Sequence, residues 1–175
     1  MDDPTRKPLV SVFGSNGAIR EQVEQLSEGL GRLIVDLGCR LCSGGRAGVM
    51  EAVSRGARTS HMWTGGEIIG IMPEADASTA NPHLDIVVPT GLGLFRNMLV
   101  ARAGDACIGV SGGAGTLSEI AFAWQTGKPV AVMSTTGGWA GELAGRHLDD
   151  RRDEPIEALP DLTAAEAWLR RVLDL

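Results

Sequence analysis

The chain has 175 residues, enough for one domain with a continuous hydrophobic core. Its net charge of −6 argues against a nucleic-acid partner, because a phosphate backbone would be repelled overall. No apolar run approaches the roughly 20 residues of a membrane span, and residues 1–8 lack the apolar segment of a signal peptide. We therefore expect a cytoplasmic protein without a membrane partner, and the three cysteines fit a reducing compartment.

Cys39 and Cys42 have the CxxC spacing that occurs in metal and redox sites. We interpret them as part of a buried strand, where residues three apart point to opposite faces and cannot share a metal. The three histidines, His61, His83 and His147, also lack metal-ligand spacing. The sequence therefore predicts no metal site built by the protein.

Apolar runs and amphipathic segments alternate along the whole chain. In chain order the pattern predicts a strand at 9–13, a helix at 20–37, a strand at 40–42, a helix at 49–59, strands at 67–72 and 86–88, a helix at 94–103, a strand at 106–110, a helix at 116–125, a strand at 130–133 and a last helix from 163 toward 173. Gly38 is predicted to end the first helix, and Thr163 to Glu166 to open the last one as a capping box. This alternation predicts an α/β fold, a single Rossmann-like domain over residues 1–175 with a doubly wound parallel sheet and helices on both faces.

Three glycine-containing loops follow predicted strands. In doubly wound sheets, ligands bind beyond the carboxyl ends of the strands. The rule selects residues 14–17, 43–48 and 111–116. We expect Gly14 and Ser15, and Gly44 and Gly45 in the second loop, to contribute to a ligand pocket.

The loop at 111–116 carries the strongest signal. Glycines without Cβ atoms let a phosphate approach the backbone, and the helix that follows offers unpaired N–H groups and a partial positive charge. Thr116 adds a hydroxyl donor. The predicted phosphate-binding residues here are Gly112, Gly113, Ala114, Gly115 and Thr116. The alternative is that these glycines only make a tight strand-to-helix turn.

Glu119 and Arg96 each have a structural alternative to a chemical role. Thr116 and Glu119 match a capping box, and from the residues alone we favour that role for Glu119. A carboxylate there could also stabilise a positively charged transition state. Arg96 lies on a predicted amphipathic helix, where an arginine is usually solvated.

The segment Gly112-Gly113-Ala114-Gly115-Thr116-Leu117-Ser118-Glu119 resembles the PGGxGTxxE motif of the LOG ("Lonely Guy") proteins, once mislabelled lysine decarboxylases. The segment from Ser43 to Glu51 resembles the second glycine-rich segment of that superfamily. The resemblance implies that Arg96 and Glu119 correspond to the catalytic arginine and glutamate of enzymes that hydrolyse the N-glycosidic bond of nucleoside 5′-monophosphates. It gives no support to lysine decarboxylation.

Two residues depart from that pattern. Ser111 replaces the proline of the motif, and Asn97 replaces the lysine that usually follows the arginine. The context from Ala80 to Gly93 is more similar to the branch that contains the molybdenum-cofactor carrier proteins, homo-oligomers that hold a pterin phosphate. This branch implies a carrier of a phosphorylated pterin or nucleotide, with molybdenum cofactor as cargo and no built-in cofactor.

Three functional hypotheses remain open from the sequence. The leading one is a homo-oligomeric carrier for a phosphorylated pterin or nucleotide, as a dimer or a tetramer. The rival is a phosphoribohydrolase that releases free base and ribose 5-phosphate, and the third is a nucleotide-sensing domain. Candidate interface residues, which the sequence does not separate from core residues, are Leu94, Phe95, Met98 and Trp124. Trp139 could stack on a flat ring at the ligand rim, although we favour a packing role for it.

Overall fold

The computed structural model describes residues 6–175. The prediction that residues 1–8 are not a signal peptide therefore falls partly outside the described residues. The strands are β1 (Leu9–Gly14), β2 (Arg40–Ser43), β3 (Ile68–Met72), β4 (Ile86–Pro89), β5 (Ala106–Val110), β6 (Val130–Met133) and β7 (Glu157–Leu159). The helices are α1 (Glu21–Asp36), α2 (Val49–Ala57), α3 (Arg96–Ala103), α4 (Ala114–Gln125), α5 (Gly138–Leu143) and α6 (Leu162–Leu173). Short 3₁₀ helices at Gly93–Phe95 and Ser134–Thr136 precede α3 and α5.

The strands form one parallel sheet in the order β4-β3-β2-β1-β5-β6-β7. The predicted α/β class and Rossmann-like parallel sheet are confirmed. The strand order reverses between β1 and β5, whose last residues, Gly14 and Val110, lie side by side. The fold therefore places the natural ligand crevice at the carboxyl ends of these two strands.

Helices cover both faces of the sheet. One core contains Leu30 of α1, Val53 of α2 and Trp168 of α6, and the other contains Val100 of α3 and Ile120 of α4. The second core fixes α3 and α4 side by side on one face of the sheet. They thereby bring residues from separate parts of the chain to one end of β5.

The two cysteines face different cores as predicted, although Cys39 directly precedes β2 and does not belong to it. Cys39 belongs to the first core and Cys42 to the second, and both are fully buried free thiols. Burial raises the pKa of Cys39 to about 11 and that of Cys42 to about 12. The described residues contain no group of three or more histidine, cysteine or acidic side chains that could hold a metal. Nor do they contain a helix with the length and hydropathy needed to cross a bilayer.

Helix starts account for most departures from prediction. Helix α4 begins at Ala114 rather than Thr116, and α6 begins at Leu162, where the Asp161 carboxylate accepts the Ala164 N–H at 2.8 Å. The predicted capping box at Thr163 is therefore wrong, because Asp161 is the cap. Helix α5 and strand β7 were not predicted; they have six and three residues, too few for a periodic pattern to develop.

Candidate functional site

A cavity of about 540 Å³ lies beyond the carboxyl ends of β1 and β5, where the strand order reverses. Both predicted catalytic residues, Arg96 and Glu119, line it. The predicted binding residues that line it are Gly14, Ser15, Gly113, Gly115 and Thr116. The fold thus brings residues from β1, α3 and α4 to a single site.

Gly44 and Gly45 do not line this cavity. A Cβ at Gly44 would overlap the guanidinium of Arg96, so the glycine makes room for that side chain. Gly45 has a φ of +72°, and a Cβ there would overlap the sulfur of Met72. These glycines support the wall behind the cavity, which differs from the ligand contact that we expected of them.

Gly112 and Ala114 also lie outside the main cavity. Gly112 has a φ of +95°, and a Cβ would collide with the side chain of Thr116, so this glycine shapes the turn. Gly112 lines a smaller neighbouring cavity of about 280 Å³, to which Gly113 also contributes. Ala114 is the first residue of α4, with an exposed side chain.

The first turn of α4 presents an unobstructed backbone to the cavity. Gly113 is the N-cap residue, and a Cβ built on it meets nothing within 4 Å. The first N–H groups of a helix have no acceptor inside the helix and carry a partial positive charge. Together with the buried Thr116 side chain, they form a surface suited to an anionic oxygen group.

Arg96 and Glu119 form a buried ion pair in the cavity wall. Arg96 Nη1 donates to Glu119 Oε1 at 3.0 Å, and the two residues are 7% and 5% exposed. Because Gly113 is the N-cap, Glu119 lies beyond the first turn of α4, and the predicted capping-box role is wrong. Burial raises the pKa of Glu119 to about 8, with Arg96 opposing the shift, and burial lowers the pKa of Arg96.

Asn97 connects α3 to α4. Its side-chain amide donates to Ser118 Oγ at 2.9 Å, and the residue is 6% exposed while it also lines the cavity. The residue that replaces the motif lysine is therefore a buried neutral tether. The cavity wall therefore has one positive charge fewer than it would have with a lysine at residue 97.

Arg46 is a cavity residue that sequence reasoning missed. It follows β2 in the second glycine-rich loop, and its Nε lies 3.6 Å from Glu74 Oε1. Buried polar atoms without a hydrogen-bond partner among the described residues are Arg96 Nε and Glu74 Oε2. The position of Arg46 after a strand was the available signal, since such loops face the crevice.

Comparison with known proteins identifies the family. The model of the SLOG cluster4 family matches residues 7–159. The chain belongs to the SLOG cluster4 family. A cytokinin riboside 5′-monophosphate phosphoribohydrolase of Rhodococcoides fascians is 34% identical over 122 residues, which are 66% of this chain. The matched region spans 59% of that relative, so the similarity covers little more than half of its length.

Two solved structures of molybdenum-cofactor proteins match this family member along its length. The molybdenum cofactor binding protein from Rippkaea orientalis has a TM-score of 0.82 at 28% identity, covering 97% of this chain and 99% of that one. The molybdenum cofactor carrier protein from Chlamydomonas reinhardtii has a TM-score of 0.75 at 27% identity, covering 97% and 100%. The predicted LOG-like branch that resembles molybdenum-cofactor carriers is confirmed.

Proposed function

We propose that this SLOG cluster4 protein binds and carries a phosphorylated pterin or nucleotide, with molybdenum cofactor as the leading cargo. The proposal rests on the first turn of α4 at the cavity. Gly113 has no side chain there, and open space lies beside the unpaired backbone N–H groups. A terminal phosphate would accept hydrogen bonds from the backbone between Ala114 and Thr116. The whole-length similarity to two molybdenum-cofactor proteins supports the identity of the cargo.

The charges around the cavity fit a phosphate that is bound without a strongly basic surface. Arg46 is 38% exposed at its side chain and lies at the cavity, where it can face an incoming anion. Arg96 is buried and donates to Glu119, so it presents little of its charge to an incoming anion. Ordered backbone dipoles therefore do most of the binding, which agrees with a protein of net charge −6.

Carriage rather than hydrolysis is the leading hypothesis because the molybdenum-cofactor proteins match 97% of this chain. Among the described residues that line the cavity, Glu119 is the single acidic side chain, and it is bonded to Arg96. A carrier needs this pair only as a rigid wall. Molybdenum would arrive with the pterin as cargo and would need no ligand from the protein.

The rival function is hydrolysis of nucleoside 5′-monophosphates. Its specific support is the position of Arg96 and Glu119 in the same cavity as the phosphate-binding turn, together with the phosphoribohydrolase relatives. In that reaction the ionised Glu119 would stabilise an oxocarbenium-like ribosyl centre or orient water, and Arg96 would hold Glu119 in place. Free base and ribose 5-phosphate would leave.

Incubation with AMP, GMP, CMP and a cytokinin ribotide separates these two functions. Free base released at roughly 1 per second or more, and lost in Glu119→Gln, would make the protein a phosphoribohydrolase and refute pure carriage. A carrier should release no base at any pH and should melt at a higher temperature with a phosphorylated pterin, because the ligand binds only the folded state. Absence of both base release and stabilisation would reject both functions.

We also propose a cytoplasmic homo-oligomer, a dimer or a tetramer. The three free cysteines are buried and unpaired, as expected in a reducing compartment. Leu94 and Phe95 are 82% and 83% exposed, an unusual exposure for neighbouring apolar side chains. Trp124 was expected in the core or at this interface, and at 2% exposed it belongs to the core.

A further inference from the structure

A second cavity adjoins the glycine-rich turn. It has a volume of about 280 Å³ and is lined by Gly112, Gly113, Gly138, Trp139 and Glu142. Gly113 also lines the main cavity, so the two spaces meet at the start of α4. A ligand whose phosphate lies at that helix start can therefore extend into either space.

Trp139 is held in a fixed place beside the phosphate-binding turn. Its backbone N–H donates to the Gly112 carbonyl at 2.9 Å, and the next N–H, that of Ala140, donates to the Ser111 carbonyl at 3.0 Å. Gly138 has a φ of +57°, and a Cβ there would lie 2.6 Å from the Gly112 carbonyl oxygen. The start of α5 is thus closely packed on the turn, which fixes the backbone of Trp139 beside the phosphate site.

The indole ring of Trp139 has no hydrogen-bond or guanidinium partner among the described residues, whereas the rings of two other tryptophans have both. Trp63 and Trp124 each donate to an aspartate and lie under an arginine guanidinium. Trp139 is 39% exposed, and its ring has no hydrogen bond or ring contact with the described residues. From the sequence we favoured a packing role for this residue; in the structure its side chain is partly exposed and lines this cavity.

Glu142 places a free carboxylate beside that ring. It lies three residues after Trp139, so both side chains emerge from the same side of α5. Within the described part of the chain, its carboxylate has no ion pair and no hydrogen-bond donor. An exposed indole and an unpaired acceptor therefore share one cavity.

We infer that Trp139 and Glu142 form the ring subsite for a bicyclic 2-amino-4-oxo heterocycle, the ring shared by pterins and guanine, an inference that rests on the proposed binding function. Such a ring presents a ring N–H and an amino group along one edge, and a carboxylate accepts from both. Its flat face stacks on the indole. The main cavity lacks an aromatic side chain among the described residues that line it, so it offers no equivalent platform.

Binding calorimetry on the full chain tests the subsite with ribose 5-phosphate, AMP, IMP, GMP and neopterin phosphate. We expect GMP to bind about tenfold more tightly than AMP, which lacks the 2-amino-4-oxo edge. IMP keeps the ring N–H but lacks the amino group, so its affinity should lie between the two. Neopterin phosphate carries the same edge as GMP. Whichever of the two binds more tightly shows whether the site prefers a pterin or a guanine ring.

Variants assign each contribution to its side chain. Glu142→Gln should abolish the preference for GMP over AMP, and Trp139→Leu should weaken every ring-bearing ligand about tenfold. Trp139→Phe keeps a stacking face and should retain most of the affinity. Glu154→Gln makes the same charge change next to Gly127 and Val130, in a different cavity, and should leave all affinities unchanged.

Ribose 5-phosphate separates failure of the subsite from failure of the binding function. Its affinity depends on the turn alone, so it should be equal in wild type and in all four variants, which also shows that each variant is folded. Ribose 5-phosphate binding with GMP affinity unaffected by residues 139 and 142 would overturn the ring subsite only. Loss of binding for every ligand to wild type would overturn both the subsite and the proposed function.

Discussion

The guanidinium of Arg96 lies against the Cα of Gly44, in the space that a side chain at residue 44 would fill. This contact joins the loop after β2 to the first turn of α3, and it holds Arg96 where Glu119 can accept its N–H. The role of Gly44 is therefore steric. It keeps the wall of the main cavity intact without touching the cavity itself.

Replacing Gly44 by alanine should displace Arg96 and break the buried ion pair. Loss of this buried hydrogen bond costs about 1–3 kcal/mol, and urea unfolding would measure the loss. Gly113→Ala is the matched control, because its new Cβ meets open space, and it should cost less than about 1 kcal/mol. Equal stability of the two variants would show that Arg96 can move without penalty.

Gly113→Val should remove ligand binding with little change in stability. The valine side chain would occupy the open space next to the first N–H groups of α4, where we place the phosphate. Gly113→Ala should show an intermediate loss, since it fills less of that space. Calorimetry with ribose 5-phosphate would measure the affinity of each variant. Undiminished affinity in the valine variant would show that the phosphate binds elsewhere.

Gly112→Ala should behave in the opposite way. Its φ of +95° and the overlap with Thr116 make any side chain costly, so the variant should lose more than about 1 kcal/mol of unfolding free energy. Adjacent glycines in one turn thus have separable roles, which a comparison of melting temperature and affinity would show. A Gly112 variant that melts like wild type would contradict this assignment.

The sequence predicted the arrangement of layers because that information is local. Buried strands such as 106–110 appear as apolar runs, and the glycine-rich turn follows one of them directly. The function of Gly44 was not predictable in this way, since its partner Arg96 is distant in sequence and meets it only after β1, β2 and β5 have paired. Glu119 was misread because α4 begins at Ala114, which places Thr116 rather than Glu119 at the third helical position.

Ser111 has a φ of +53°, which explains why the motif proline is absent from this chain. Proline fixes φ near −65° and has no N–H, whereas the Ser111 N–H donates to Thr136 Oγ1 at 2.7 Å. Ser111→Pro should therefore destabilise the fold by about 3 kcal/mol or more. Ser111→Gly relieves the left-handed backbone and should be neutral or stabilising by up to about 1 kcal/mol in urea unfolding. A tolerated proline would mean that the turn rearranges.

The pH dependence of stability should carry the signature of Glu119. Burial raises the pKa of its carboxyl from 4.5 to about 8, so the folded protein holds this proton more tightly than the unfolded chain does. The stabilisation is complete below about pH 4.5 and is lost as the pH rises through about 8. Glu119→Gln cannot titrate, so its melting temperature relative to wild type should increase between about pH 5 and about pH 9.

A surface carboxylate gives the control for that experiment. Glu166 is 44% exposed at its side chain and bonded to Arg170 on the same helix, so Glu166→Gln should differ from wild type by a small and nearly constant amount. Parallel melting curves for Glu119→Gln and wild type across this pH range would mean that Arg96 keeps Glu119 ionised throughout.

The exposed apolar residues at the start of α3 should mediate self-association next to the cavity. These residues, which we call the α3 patch, are Leu92, Leu94, Phe95, Met98 and Leu99. Leu94 also lines the main cavity, so a second copy docked on the patch would cover part of the cavity opening. Self-association would therefore protect a bound ligand from solvent as well as bury apolar surface.

A charge at the centre of the α3 patch should dissociate the oligomer. Phe95→Glu would place a carboxylate in a desolvated contact, and its mass by light scattering should fall to that of one 18.4 kDa chain. Met62→Glu is the control, because Met62 is 45% exposed but lies outside the patch, and it should keep the wild-type mass. If ligand escapes faster from the Phe95 variant than from the Met62 variant, the second copy closes the cavity. Equal escape rates would assign the α3 patch to assembly alone.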